Sequence, residues 1–95
     1  MVEYRTHMKI IGDILSTTCD DLQDGDGASV TYLIRKANVS HSRISRMLKT
    51  LVSQGLLEKV DSQGSRKYKI SQTGREFLQA YQTFSGFAIN FGLTI

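Results

Sequence analysis

Ninety-five residues, 40% of them apolar and 22% charged, make one ordinary globular domain with a single modest core. No apolar run reaches the roughly 18 residues needed to span a bilayer, and Met1-Val2-Glu3-Tyr4-Arg5 lacks the apolar stretch of a secretory leader. Cys19 is the only cysteine, which excludes an internal disulfide and predicts a reducing, cytoplasmic setting.

The net charge of +3 hides an uneven distribution. Residues 1–34 carry Arg5 and Lys9 against six acids, Glu3, Asp13, Asp20, Asp21, Asp24 and Asp26. Residues 35–75 carry ten cations against Glu58 and Asp61, a surplus of eight. No charged side chain follows Glu76. A basic middle is the electrostatic footprint of a polyanionic partner, although charge alone speaks to non-specific association rather than to fold.

The first helix is predicted from about Glu3 to Asp21, with Met8, Ile11, Ile14 and Leu15 as its apolar stripe. Thr17, Thr18 and Cys19 weaken its last turn. The stretch Asp20 to Gly27 reads as a loop, because Asp and Gly supply turn conformations. Ala28 to Val30 is a short extended segment. Ser29 then caps a second helix, Val30 to Ala37, with Leu33, Ile34 and Ala37 inward.

Asn38-Val39-Ser40 is a tight break, and Ser40 caps a third helix from His41 to Gln54. Ile44, Met47, Leu48 and Leu51 fall at i, i+3, i+4 and i+7 there, and Gly55 stands where a left-handed cap belongs. Leu56 to Val60 and Arg66 to Ile70 read as two strands around a turn at Asp61 to Ser65. Tyr68 and Ile70 point one way, Lys67 and Lys69 the other, which makes a hairpin with a basic face. Ser71 caps a fourth helix through Thr73, Gly74, Phe77, Leu78 and Tyr81.

Helix, helix, tight turn, helix, hairpin, helix is the order of a winged helix-turn-helix, mainly α with a small β-hairpin (α+β). Residues 1–82 would be the binding domain and 83–95 an apolar extension of the last helix. The major groove of duplex DNA admits one α-helix, so a third helix held by rigid partners can reach base edges. Its apolar stripe leaves Ser42, Arg43, Arg46, Lys49, Thr50 and Ser53 outward. Arg43 and Arg46 suit bidentate contacts to guanine. Lys49, with Ser40, His41, Ser42 and Thr50 around it, suits the backbone. Arg66, Lys67 and Lys69 put cations on the hairpin, against phosphate or in a minor groove, whose narrow regions have enhanced negative potential.

Three segments carry a resemblance to a known family: GASVTYLIRKANVS (Gly27 to Ser40), LKTLVSQGLL (Leu48 to Leu57) and YKISQTGREFL (Tyr68 to Leu78). With IIGDIL (Ile10 to Leu15), their order and spacing resemble the archaeal winged-helix family of ten-kilodalton DNA-binding proteins, over about Arg5 to Tyr81. The resemblance implies an archaeal source, duplex DNA as partner, and a homodimer formed through a long last helix. It implies either a nucleoid-associated or a transcription-regulating role.

The C-terminal residues give the dimer their own support. Phe77, Tyr81, Phe84, Ala88, Phe91 and Ile95 are spaced 4, 3, 4, 3, 4, the heptad seam of a coiled coil. Gly86 and Gly92 each cost a helix about 1 kcal/mol relative to Ala. Residues 84–95 therefore either continue the helix or fold back on their own domain.

Other chemistry finds little footing. The acidic loop fits no EF-hand register, since Asp20 as first ligand puts Leu22 third, and Asp24 as first puts Ala28 fifth. His7, His41 and one cysteine do not make a four-ligand zinc site. No catalytic triad, P-loop or dinucleotide turn is present, so neither an enzyme, a cofactor nor a small-molecule substrate is predicted. The alternative function is a winged helix used for protein contact without DNA, for which the outer face of the third helix would carry apolar or mixed-charge residues.

Overall fold

The computed structural model describes residues 6–20, 27–62 and 65–93, arranged as four helices and a three-stranded sheet among these. They are α1 (His7–Asp20), β1 (Ala28–Ser29), α2 (Val30–Ala37), α3 (His41–Ser53), β2 (Leu57–Ser62), β3 (Ser65–Ile70) and α4 (Gln72–Asn90). The predicted start at Glu3, most of the acidic loop, the turn residues Gln63 and Gly64, and Ile95 lie outside the described residues.

Helix α1 begins at His7 because Thr6 is its cap: the Lys9 N–H donates to Thr6 Oγ1 at 3.0 Å, and the Ile10 N–H to the Thr6 carbonyl. Its buried side is Ile10, Ile14, Leu15 and Thr18, which corrects the predicted stripe. Met8 is exposed and Ile11 only half-buried, since the helix turns Ile10 rather than Met8 toward the core. The threonines of the last turn do not end the helix. Thr17 Oγ1 donates to the Asp13 carbonyl and Thr18 Oγ1 to that of Leu15, so each hydroxyl is satisfied within the helix.

The two caps predicted around the tight break are in place. Ser29 Oγ accepts from the Tyr32 N–H and Ser40 Oγ from that of Arg43. Asn38 ends α2 in the left-handed region (φ 55°), a conformation that Asn tolerates better than most residues. Ile44, Met47, Leu48 and Leu51 bury the inner face of α3 as the spacing required. Leu56, expected to open a strand, instead closes α3. Its N–H reaches back to the Leu51 carbonyl while Gly55, at φ 79°, donates to that of Val52.

The sheet has the order β1-β3-β2, all antiparallel, so the hairpin gains a third strand. Ala28 pairs with Tyr68 and Ser29 with Lys67 on one edge of β3. On the other edge the ladder runs from Leu57 opposite Ile70 to Ser62 opposite Ser65. That is further than the expected turn allowed, since the pairing continues through Asp61 opposite Arg66. Ala28, Leu57, Tyr68 and Ile70 close the core over α1, α2 and α3.

Helix α4 leaves the sheet through a close joint. Ser71 Oγ caps it, accepting from the Gly74 N–H at 2.9 Å, and donates to the Gly55 carbonyl at 2.6 Å. The Ser71 N–H bonds the Leu56 carbonyl. Leu78 joins the core, Tyr81 lies against Gly12, and Arg75 Nη1 donates to Cys19 Sγ at 3.5 Å, tying α4 to α1. The helix runs on to Asn90, well past Tyr81, and residues 84–90 do not fold back. It ends as α3 does: Gly92 (φ 74°) donates to Ile89 and Leu93 to Ala88. No described helix is long and apolar enough to cross a membrane.

Two glycines of α4 should respond oppositely to the same change. A Cβ on Gly74 would overlap the backbone oxygen of Leu56, whereas one on Gly86 meets nothing within 4 Å. Gly74→Ala should lower unfolding stability by about 1–3 kcal/mol, and Gly86→Ala should raise it by up to about 1 kcal/mol. Urea denaturation of both variants checks the pair, and equal signs would contradict the joint.

Candidate nucleic-acid interface

Helix α3 presents its polar side between two neighbours. Burial of Ile44, Met47, Leu48 and Leu51 turns Ser42, Arg43, Ser45, Arg46, Lys49, Thr50 and Ser53 outward, all of them exposed. The helical period then splits these residues between two flanks.

Toward α1 lie Arg43, Arg46 and Thr50, whose side chains border a depression shared with His7 and Ile11. Toward the hairpin lie His41, Ser45, Lys49 and Ser53, which line a wider groove of about 650 Å³ closed on its far side by Lys59 and Arg66. Val30, Leu48, Val52 and Tyr68 form the apolar bottom of that groove. Each flank of α3 therefore carries cations, and among the described residues no carboxylate lines either recess.

The strand register decides which hairpin cations belong to this site. Residues directly opposite on neighbouring strands share a face. Lys59 opposite Tyr68 therefore shares the α3 side with Arg66. Lys67 and Lys69 occupy the other face of the sheet, half-buried, with Glu58 directly opposite Lys69. The predicted hairpin cations thus separate: Arg66 joins Lys49 at the groove, while Lys67 and Lys69 look away from it.

Lys59 is the functional candidate that the element pattern alone does not single out. The signal is present in the alternation of β2, where Leu57 inward places Lys59 on the same face two residues on. What the pattern lacks is the position of α3, which turns that face from core into groove wall beyond Leu57.

Several predicted contacts also have structural work. Ser40 Oγ is the α3 cap, and Thr50 Oγ1 donates to the Arg46 carbonyl at 3.1 Å. Arg43, Arg46, Lys49 and Lys59 stand in no ion pair among the described residues, whereas Lys9 pairs with Asp13 at 3.7 Å on α1. Among the described residues no group of three His, Cys, Asp or Glu side chains could hold a metal ion.

The predicted seam on α4 is only partly helical. Phe77 and Tyr81 are half-buried against the core, Phe84 is 60% exposed and Ala88 is buried. Phe91 sits at the helix end, 78% exposed, and Ile95 lies outside the described residues. Phe87, Ile89 and Leu93 are exposed beside it. Where α4 leaves α1, Met8, Phe77, Ala80, Tyr81 and Phe84 line an open apolar groove of about 450 Å³.

Comparisons with known proteins agree with this architecture. The structure is similar to that of Sso10a-2, a DNA-binding protein from Sulfolobus solfataricus, with a TM-score of 0.78 and 23% identity over 92% of this chain and 85% of that one. It is also similar to SSV1 F-93, with a TM-score of 0.63 and 16% identity over 93% and 99% of the two chains. No curated protein sequence gives a significant match. The family model for the winged helix-turn-helix matches residues 4–88, most of the chain, and the protein belongs to that family.

Proposed function

We propose that this protein is a homodimeric duplex-DNA-binding protein, a transcriptional regulator or nucleoid-associated protein, that seats α3 in the major groove. The observation that carries the proposal is the pair of cationic flanks on α3. A major groove is about 12 Å wide and bounded by a phosphate backbone on each side. A helix entering it meets phosphates left and right, so cations on both sides suit that environment. Arg43 and Arg46 stand on one flank, with Lys49, Lys59 and Arg66 on the other.

The roles follow from reach. Arg43 and Arg46 lie in the first half of α3, where a helix tip approaches base edges, and a guanidinium can hold guanine O6 and N7 together. Lys49, Lys59 and Arg66 converge on the hairpin-side groove and suit one run of backbone, with His41 and Ser45 along its wall. Ser42 faces outward at the first turn. Lys67 and Lys69, on the opposite sheet face, can meet only a backbone that passes behind the wing. The similarity to Sso10a-2, itself a DNA-binding protein, supports the same reading.

Pairing of two chains rests on the free part of α4. Phe84, Phe87, Ile89, Phe91 and Leu93 are each at least 60% exposed. Exposed apolar side chains gathered on one short segment are characteristic of a protein contact. Phe84 and Phe87 lie one turn apart on this continuous helix with Phe91 at its end, so a second α4 can pack along them. A two-fold pair would set two α3 helices at a fixed separation on one duplex.

Three measurements bear on this reading. Duplex affinity should fall with salt at a log–log slope of about 4–5 per protomer if all five flanking cations neutralise phosphate, and by about 1 less for each that reads a base instead. No binding at low salt would leave protein docking as the use of this fold.

Lys59→Ala and Arg66→Ala should each weaken random and preferred duplexes alike and lower the slope by about 1. Arg43→Ala or Arg46→Ala should cost about 1–3 kcal/mol on a preferred sequence and much less on random DNA. Uniform losses at all four positions would identify a nucleoid-type protein that ignores sequence.

Light scattering should give twice the chain mass for the full-length protein and a monomer after truncation behind Gln82. The truncation keeps Phe77, Leu78 and Tyr81, which pack on the core. A full-length monomer at micromolar concentration would exclude the dimer, and a truncated dimer would move the interface away from α4.

A further inference from the structure

The depression between α1 and α3 sets two arginines beside an apolar floor. Helix α1 packs chiefly on α2, α4 and β3, so a gap remains where its first turns pass α3. The gap is about 300 Å³, at the lower end of ligand-site volumes. Its floor is apolar: Ile11 from α1, and Met47 and Leu51 from the inner edge of α3. Its rim is polar, with the Arg43 and Arg46 guanidinium groups on one side and the His7 imidazole on the other. Among the described residues no carboxylate borders it.

An apolar floor under a few convergent charged donors is the pattern of a small-molecule site rather than of a phosphate track. A phosphodiester on the outside of a duplex is held by its oxygens and has no apolar body to lay on Ile11, Met47 and Leu51. Guanidinium groups bind planar carboxylates with two parallel hydrogen bonds. Arg43 and Arg46 are one turn apart on α3 and stand in no ion pair among the described residues, so both are available to one anion. Thr50 Oγ1 is already directed to the Arg46 carbonyl, which leaves the hydroxyl oxygen as an acceptor at the edge of the gap.

We propose that this depression binds a small carboxylate with a flat apolar body, its carboxylate on Arg43 and Arg46 and its body on Ile11, Met47 and Leu51. The regulatory consequence rests on the DNA reading above. The two arginines assigned to base edges are the two that such an anion would engage. Anion and duplex then compete for the same cations, and each lowers the affinity of the other by the same factor. The occupant is a releasing effector for DNA.

The test uses 1-naphthoate as probe, with 1-naphthylmethanol as its uncharged counterpart and acetate as a carboxylate without the body. Amide NMR titration of the full-length protein without DNA should show saturable shifts at Ile11, Met47 and Leu51 with naphthoate. Its affinity should exceed that of either control by at least about tenfold, the worth of a charged hydrogen-bond pair or of the buried ring. Ile11→Phe, which fills the floor from α1, should abolish the shifts. His7→Ala, at an exposed rim position, should weaken them in a fold left intact. At constant ionic strength naphthoate, but not acetate, should raise the duplex Kd. Equal affinity for naphthoate and naphthylmethanol would overturn the site, as would shifts confined to the groove at Phe84. Naphthoate bound with the duplex Kd unchanged would overturn its effector role. Saturable naphthoate binding by a chain that holds no duplex would refute the DNA reading and leave the site standing.

Discussion

Four apolar side chains on one side of α3 determine where the cations of that helix point. Ile44, Met47, Leu48 and Leu51 are each at most 6% exposed, and burying side chains of this size stabilises by about 1.5–3 kcal/mol apiece. A rotation of α3 about its axis would bring Arg43 or Lys49 into the core, where an unpaired charge is far more costly than any contact it could make. The helix is thereby held in one orientation. Its ends are fixed as well, by Ser40 at the start and the left-handed Gly55 at the close. The outer face is thus a consequence of the inner one.

The same constraint reaches the wing. Leu56 both closes α3 and accepts from the Ser71 N–H, while Ser71 Oγ bridges the Gly55 carbonyl and the first turn of α4. Hairpin and last helix are therefore pinned to the C-terminal end of α3 by a few backbone bonds in a space that only glycine fits at position 74. Pinning at that end sets the distance between Lys49 on the helix and Lys59 and Arg66 on the strands. A site assembled from three elements in this way is preformed, and its cations need little reordering to meet a rigid backbone.

Much of this architecture is legible in the sequence alone. The caps Ser29, Ser40 and Ser71 and the i, i+3, i+4, i+7 spacing of α3 are local signals, read within one turn of chain, and each corresponds to an observed feature. The misses are of another kind. The extended segment expected from Ala28 is strand β1, but its two residues are too few for any alternation to show, so its pairing on the free edge of β3 is not legible. Ile10 and Met8 are both apolar on α1, and only the position of α2 and α4 decides which is buried. Lys59 becomes a site residue through register and through the placement of α3 opposite it. Gly86 leaves the course of α4 beyond Tyr81 open in the sequence, and the structure runs helix through it.

In the proposed complex, duplex DNA engages both flanks of α3 at once. Amide chemical-shift mapping of the full-length protein with a short duplex at low salt reads that contact residue by residue. Perturbations are expected at Arg43 and Arg46 on one side and at Lys49, Lys59 and Arg66 on the other, with the outer sheet face at Lys69 changing less. Perturbations confined to α4, or to one flank of α3 with the hairpin unmoved, would contradict a contact on both flanks.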